Sequence, residues 1–116
     1  MRIFIDSANV DEIAEAFHTG LIDGVTTNPT LIKKSERDPV SVYRELQVLG
    51  VSDISMEVMG TENEMIKEAI ALSEEFDDVA TIKLPMTQDG LSVCRYLHGY
   101  NTVSYTHLTL PTTPYV

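Results

Sequence analysis

The sequence predicts an α/β protein in which four parallel strands alternate with helices. Three observations carry that prediction. Short apolar runs recur between residues 2 and 85, each of strand length. The segments between them repeat apolar residues at three- and four-residue spacing and are bounded by helix start and stop residues. Their length fits crossover connections, so the strands pair in parallel as βαβ units.

The elements follow in order. RIFI (2–5) is a buried strand, and SANVDEIAEAFHTG is a helix with Ser7 or Asn9 as N-cap. Ile13, Ala14, Ala16 and Phe17 supply its apolar side, and Gly20 its stop. LIDGVTT (21–27) is the second strand. NPTLIKKSE is a short helix with Pro29 just inside its start, and DPVSVYRELQVLG is a longer one opened by Asp38 and Pro39 and closed by Gly50. DISMEVM (53–59) is the third strand. TENEMIKEAIALSEEF is the clearest helix: Thr61 and Glu64 have capping-box spacing, and Met65, Ile66, Ala69, Ile70 and Leu72 share one side. DVATIKLP (78–85) is the fourth strand, and TQDGLSVCRYLHG is a final helix stopped by Gly99. The strands are mostly apolar, so the sheet is covered or closed.

At 116 residues the chain has room for one domain and one modest core. Its formal charge of −10 argues against nucleic acid and anionic membrane as partners, because both repel an acidic surface. A phosphorylated substrate stays open, since it needs only a local cluster of donors. A single cysteine, Cys94, leaves no internal disulfide and suits a reducing cytoplasm, where it reads as a core or flank residue. The first residues lack the basic stretch and long apolar run of a signal peptide. No segment reaches the roughly 18 apolar residues of a membrane span. The expected location is cytoplasmic.

The informative residues are polar ones placed where strands end. Asp6 closes RIFI, Thr26 and Asn28 close DGVTTN, Glu57 sits inside ISMEVM and Lys83 inside ATIKLP. A lone charge in such a run is costly unless paired, so an Asp–Lys or Glu–Lys ion pair explains any one of them. Four strands each delivering a polar group to one sheet edge describe a site. Desolvation favours the neutral amine of a strand lysine, a nucleophile, while nearby carboxylates favour its charged form. An amine flanked by acid–base carboxylates is what Schiff-base formation at a ketone requires. No glycine-rich phosphate loop is present. His18, His98 and His107 show no metal-ligand spacing, and His18 and His98 fall near helix C-termini, where the dipole favours them.

IDSANVDEI, GVTTNPTLI, MEVMG and IKLPMTQDGL, in this order and spacing, resemble the transaldolase family. The resemblance is to its short-chain branch, which also contains fructose-6-phosphate aldolase, and it runs from residue 1 to about residue 101. It implies a (β/α)8 TIM barrel, with residues 1–102 as its N-terminal half. It also implies Schiff-base chemistry without metal or cofactor, sugar-phosphate substrates and a homo-oligomeric parent. By the resemblance Lys83 is the Schiff-base lysine. Asp6 is the acid–base residue that takes the proton from the C4 hydroxyl, and Glu57 works through a water on the carbinolamine. Asn28 and Thr26 hold the dihydroxyacetone portion and order the site. Glu at position 57 is similar to the transaldolases, whereas the aldolases carry Gln there. It favours transfer of dihydroxyacetone between sugar phosphates of the pentose phosphate pathway over its release.

The pattern breaks after Asn101. Residues 103–116, VSYTHLTLPTTPYV, hold no Asp, Glu, Lys or Arg, although such residues make up 22% of the chain. The peptide resembles the translation of a transposon-based sequencing adapter, so residues 103–116 are expected to be read-through rather than native. Half a barrel would have unpaired edges and an exposed apolar interior, so this length is expected to be unstable or aggregating and inactive. Two other classes compete. A receiver-like signalling module also alternates strands and helices, but its third strand should end in Asp where Glu57 stands. A half-barrel that binds sugar phosphates without catalysis would not need Lys83.

Overall fold

The computed structural model describes residues 1–99 and the backbone of 105–109. In chain order the elements are β1 (Phe4–Asp6), α1 (Val10–Phe17), β2 (Gly24–Thr26), α2 (Pro29–Lys34), α3 (Pro39–Leu49) and β3 (Ile54–Glu57). They continue with α4 (Glu62–Phe76), a 3-10 turn (Asp77–Val79), β4 (Ala80–Pro85), α5 (Gln88–Gly99) and β5 (Tyr105–Thr109).

Strand order separates the candidate architectures. All strand pairs are parallel, and the order across the sheet is β1-β2-β3-β4-β5. A receiver-type sheet is doubly wound, with its first strand between the second and third. Here β2 lies between β1 and β3, which overturns the receiver-like reading. Parallel strands laid down in sequence order, each followed by a helix, are the pattern of a (β/α)8 barrel.

The four expected strands are all present, and β5 is an addition to them. It runs beside β4 from the pair Thr81↔Tyr105 to the pair Pro85↔Thr109. The uncharged, Tyr- and Thr-rich composition that sets this stretch apart is also strand-forming, which is a physical reason for it to pair. Apart from this backbone, the expectation of adapter read-through over 103–116 falls outside the described residues.

The helix starts follow from side-chain caps. Asn9, not Ser7, caps α1: its Oδ1 accepts from the Glu12 amide at 3.1 Å. Asp38 Oδ2 accepts from the Ser41 amide, and Thr61 Oγ1 from the Glu64 amide. At Thr61 the hydroxyl itself donates to the Glu64 carboxylate, a variant of the expected capping box. Thr87 Oγ1 accepts from Gly90 at 3.0 Å. Gly90 is needed at that point because a Cβ there would lie 1.9 Å from the Pro85 carbonyl oxygen. His18 is the C-cap of α1 and His98 lies in the last turn of α5, as expected for both.

The core lies between the sheet and its helices. Val25, Ile54, Met56, Ile82 and Leu84 from the strands pack against Ile13, Leu46, Met65, Phe76, Val93 and other helix residues, all buried. Each such aliphatic side chain contributes about 1.5–3 kcal/mol when removed from water. Cys94 is half-buried against this core. In β4, Ala80, Ile82 and Leu84 are buried while Thr81, Lys83 and Pro85 are half-buried, a period-two pattern. Carried across the register, the second face holds Asp6, Thr26, Ser55, Glu57, Thr81 and Lys83. With Phe4 and Pro85 as its apolar members, that face is mostly polar, so the expectation of an apolar barrel interior holds only in part over these strands. Among the described residues no helix is long and apolar enough to cross a membrane.

Candidate active site

The parallel sheet delivers its strand ends to one rim, and the polar residues singled out in the sequence stand there. Lys83 and Glu57 are direct cross-strand partners in β4 and β3. Lys83 Nζ lies 3.6 Å from Glu57 Oε2, with the two side chains 15% and 17% exposed. A charge-assisted hydrogen bond spans about 2.7–2.9 Å, so the pair is adjacent without being locked. The nearby carboxylate offsets the cost of a half-buried ammonium.

Asn28 joins them from the turn after β2. Its Oδ1 accepts from the Leu31 amide at 2.9 Å and caps α2, where Pro29 fills the first helical position. The cap fixes the side chain next to a cleft of about 400 Å³, lined by Asn28, Pro29, Thr30, Leu31, Glu57, Met59 and Lys83. The amine, the carboxylate and the amide therefore line one cavity.

Asp6 and Thr26 form a second group on the same face. Thr26 Oγ1 donates to Asp6 Oδ1 at 3.1 Å, and the two residues are register partners. Asp6 is exposed and is not among the residues lining the 400 Å³ cleft. It stands three strands from Lys83, roughly 14 Å along the sheet at about 4.8 Å per strand. Curling the sheet toward a barrel shortens that gap across the interior and leaves space for a small substrate between the two groups.

Behind the rim, Thr27 is fully buried and donates to the Ser55 carbonyl at 2.8 Å. The buried Tyr43 hydroxyl is held above its ordinary pKa, chiefly by burial and against a hydrogen bond with Thr27. Glu68 on α4 is also raised, chiefly by desolvation, with the Met59 amide opposing. Glu68 and Tyr43 line a smaller cleft of about 190 Å³ with Glu57 and Met59. Sequence reasoning did not single out Met59, Thr30 or Leu31 as cleft residues. Nothing in their residue types marks them, and only the capped turn brings Thr30 and Leu31 there. Among the described residues no cluster of three or more His, Cys, Asp or Glu side chains is arranged to hold a metal ion.

Residues 3–103 match the model of the family described as Transaldolase/Fructose-6-phosphate aldolase. The chain belongs to this family. Its strands β1–β4 are the N-terminal half of the family's barrel, and the polar rim is at their C-terminal ends, the face where TIM-barrel sites are built. Curated relatives named "Probable transaldolase" agree. One from Thermodesulfovibrio yellowstonii is 46% identical over 98 residues, and one from Sinorhizobium medicae is 48% identical over 98 residues. Each alignment covers 84% of this chain and 45% of the relative. The chain thus spans about half the length of the curated relatives it matches.

Proposed function

We propose that the protein to which this chain contributes is a Schiff-base transaldolase. It would transfer a dihydroxyacetone unit from a ketose phosphate, such as fructose 6-phosphate or sedoheptulose 7-phosphate, to an aldose phosphate. The observation that carries the reading is Lys83 beside Glu57 in a cleft shared with Asn28.

The neutral Lys83 amine adds to the C2 ketone, forming the C–N bond of a carbinolamine. Glu57, through a water, protonates the carbinolamine hydroxyl; the C–O bond breaks and water leaves an iminium. Asp6 takes the proton of the C4 hydroxyl. The C3–C4 bond then breaks, its electron pair neutralises the iminium as an enamine, and an aldose phosphate departs. The enamine carbon adds to the acceptor aldehyde, whose oxygen takes the proton back from Asp6. Hydrolysis of the new imine frees Lys83. With Oδ1 engaged in the cap, the amide nitrogen of Asn28 is the donor left for the dihydroxyacetone hydroxyls. Thr26 keeps the Asp6 carboxylate turned along the face.

Borohydride with dihydroxyacetone should reduce a Schiff base onto Lys83, detectable as a mass increase on its peptide. Absence of that adduct would sink the reading. The second reading is a fructose-6-phosphate aldolase, against which Glu57 stands. Consumption of fructose 6-phosphate without erythrose 4-phosphate would move the assignment to it. We read residues 103–116 as translated adapter. Genomic DNA that continues past codon 102 into a different sequence supports this, and DNA that encodes VSYTHLTLPTTPYV and a stop refutes it.

A further inference from the structure

The turn that follows Asp6, the last residue of β1, is held by hydrogen bonds of which the chemistry above uses only that from Thr26 to Asp6. Ser7 follows Asp6 directly and is only 6% exposed. Its backbone amide donates to the Thr26 carbonyl at 3.2 Å. Its hydroxyl accepts from the Asn9 amide at 3.0 Å and donates to Glu12 Oε2 at 3.2 Å. Asn9 in turn accepts from the Glu12 amide. Thr26 closes the set, since its hydroxyl donates to Asp6 while its carbonyl accepts from Ser7.

Ser7 is thus tied to β2 through its amide and to α1 through its hydroxyl. Asn9 satisfies one of the orphan amides at the start of α1, that of Glu12, and Ser7 Oγ takes the amide of the cap residue itself. The Ser7–Glu12 bond pairs no backbone amide of the helix; what it fixes is the direction of the Ser7 hydroxyl, on the residue that follows Asp6.

We propose that Ser7 is a positioning residue for Asp6, with Glu12 orienting the Ser7 hydroxyl. The inference rests on the Schiff-base reading above and names the residues that aim its acid–base group. A carboxylate that must meet one hydroxyl proton tolerates little displacement; a shift of about 1 Å costs up to about a hundredfold in rate. Asp6 acts in C3–C4 cleavage and not in imine formation. The two steps therefore report different things.

The test measures both steps in the protein at its full genomic length, for the parent, Ser7→Ala, Glu12→Ala and Glu12→Gln. Borohydride trapping of dihydroxyacetone on Lys83 reports imine formation. Release of aldose phosphate from fructose 6-phosphate in a single turnover reports cleavage. Ser7→Ala is expected to slow cleavage about tenfold or more while trapping stays within about twofold. Glu12→Ala is expected to give the same split in smaller measure, and Glu12→Gln, which keeps an acceptor oxygen, to restore most of it. Glu12 is exposed, so its variants answer the question even if Ser7→Ala does not fold. Equal slowing of both steps, or parent-like cleavage in Ser7→Ala and Glu12→Ala, overturns the proposal. Failure of the parent itself to trap overturns the Schiff-base reading and the inference with it.

Discussion

The two ends of the sheet treat their charges in opposite ways. At the N-terminal end, Asp53 uses both carboxylate oxygens: Oδ2 accepts from Arg2 at 2.9 Å and Oδ1 from Thr81 at 2.8 Å. Arg2 also lies over the Phe4 ring at 5.1 Å, and Phe4 fills the space that Gly24 leaves. Asp23 and Ile3 exchange two more bonds, at 2.6 and 2.7 Å. At the C-terminal end, Lys83 and Glu57 stand 3.6 Å apart, and Asp6 accepts one bond from Thr26. The same sheet places self-satisfied polar groups at its base and loosely paired ones at its rim. A group already paired by its neighbours has less to offer a ligand, so the base reads as structure and the rim as the candidate site.

The comparison predicts that substitutions at the rim change activity and those at the base change stability. The largest effect is at Lys83. On the Schiff-base reading Lys83→Met should abolish borohydride trapping and turnover, because it removes the proposed nucleophile, with a thermal midpoint close to the parent's. Residual turnover near the parent's would break the comparison and favour a half-barrel that only binds sugar phosphates.

Gly24→Ala is the counterpart at the base. A Cβ there would lie 2.4 Å from Phe4 Cε2 and 2.6 Å from the Asp53 carbonyl oxygen. The ring can turn aside but the backbone cannot. The expected cost is about 1–3 kcal/mol, read as a drop in the thermal midpoint of several degrees. Trapping per folded molecule should not change, and a large loss there would mean that the two ends are coupled.

Asp53→Ala sharpens the same point with a smaller effect. The Arg2 side chain is 64% exposed, so its ion pair with Asp53 contributes little. The bond to the half-buried Thr81 matters more, and the total loss in a denaturant titration should be about 1 kcal/mol. Arg2→Ala should cost only a few tenths of that. If Arg2→Ala costs more than Asp53→Ala, the base is held by its ion pair and not by the neutral bond.

The contrast between the ends explains what the sequence could and could not reveal. Glu57 and Lys83 were legible because a charge inside an apolar run is conspicuous without any partner in view, and Asp6 because it ends one. Asp53 was not, because at the start of its run it looks like an ordinary strand boundary, and its partners Arg2 and Thr81 lie 51 and 28 residues away. The choice between Ser7 and Asn9 as cap of α1 depended on which oxygen faces the Glu12 amide, which only coordinates can decide. The character of the second face is hidden in the sequence because the overall hydropathy of a strand run averages its two faces. In β4 the apolar and polar residues in fact alternate, with Thr81 and Lys83 on the polar face. The separation of Asp6 from the Lys83 cleft was not legible either, since it depends on how far the sheet curls rather than on any spacing along the chain.

Tyr43 offers the smallest and most specific test of the region between the two ends. It is 3% exposed on α3, meets Phe76 edge-on at 5.9 Å, and shares a hydrogen bond with Thr27, the residue between Thr26 and Asn28. Burial raises its pKa above the ordinary 10.0. The folded state thus keeps the phenol proton at a pH where the unfolded chain has begun to release it. The stability linked to this group is complete below about pH 10 and declines as pH rises from there through the folded pKa. Tyr43→Phe should cost about 1 kcal/mol at neutral pH, through loss of the bond to Thr27. It should also remove part of the alkaline decline, so that the two stability curves converge above pH 10. Parallel curves would mean that the phenol titrates alike in both states. Convergence would identify Tyr43 as a neutral buried support beneath the turn that presents Asn28 to the cleft.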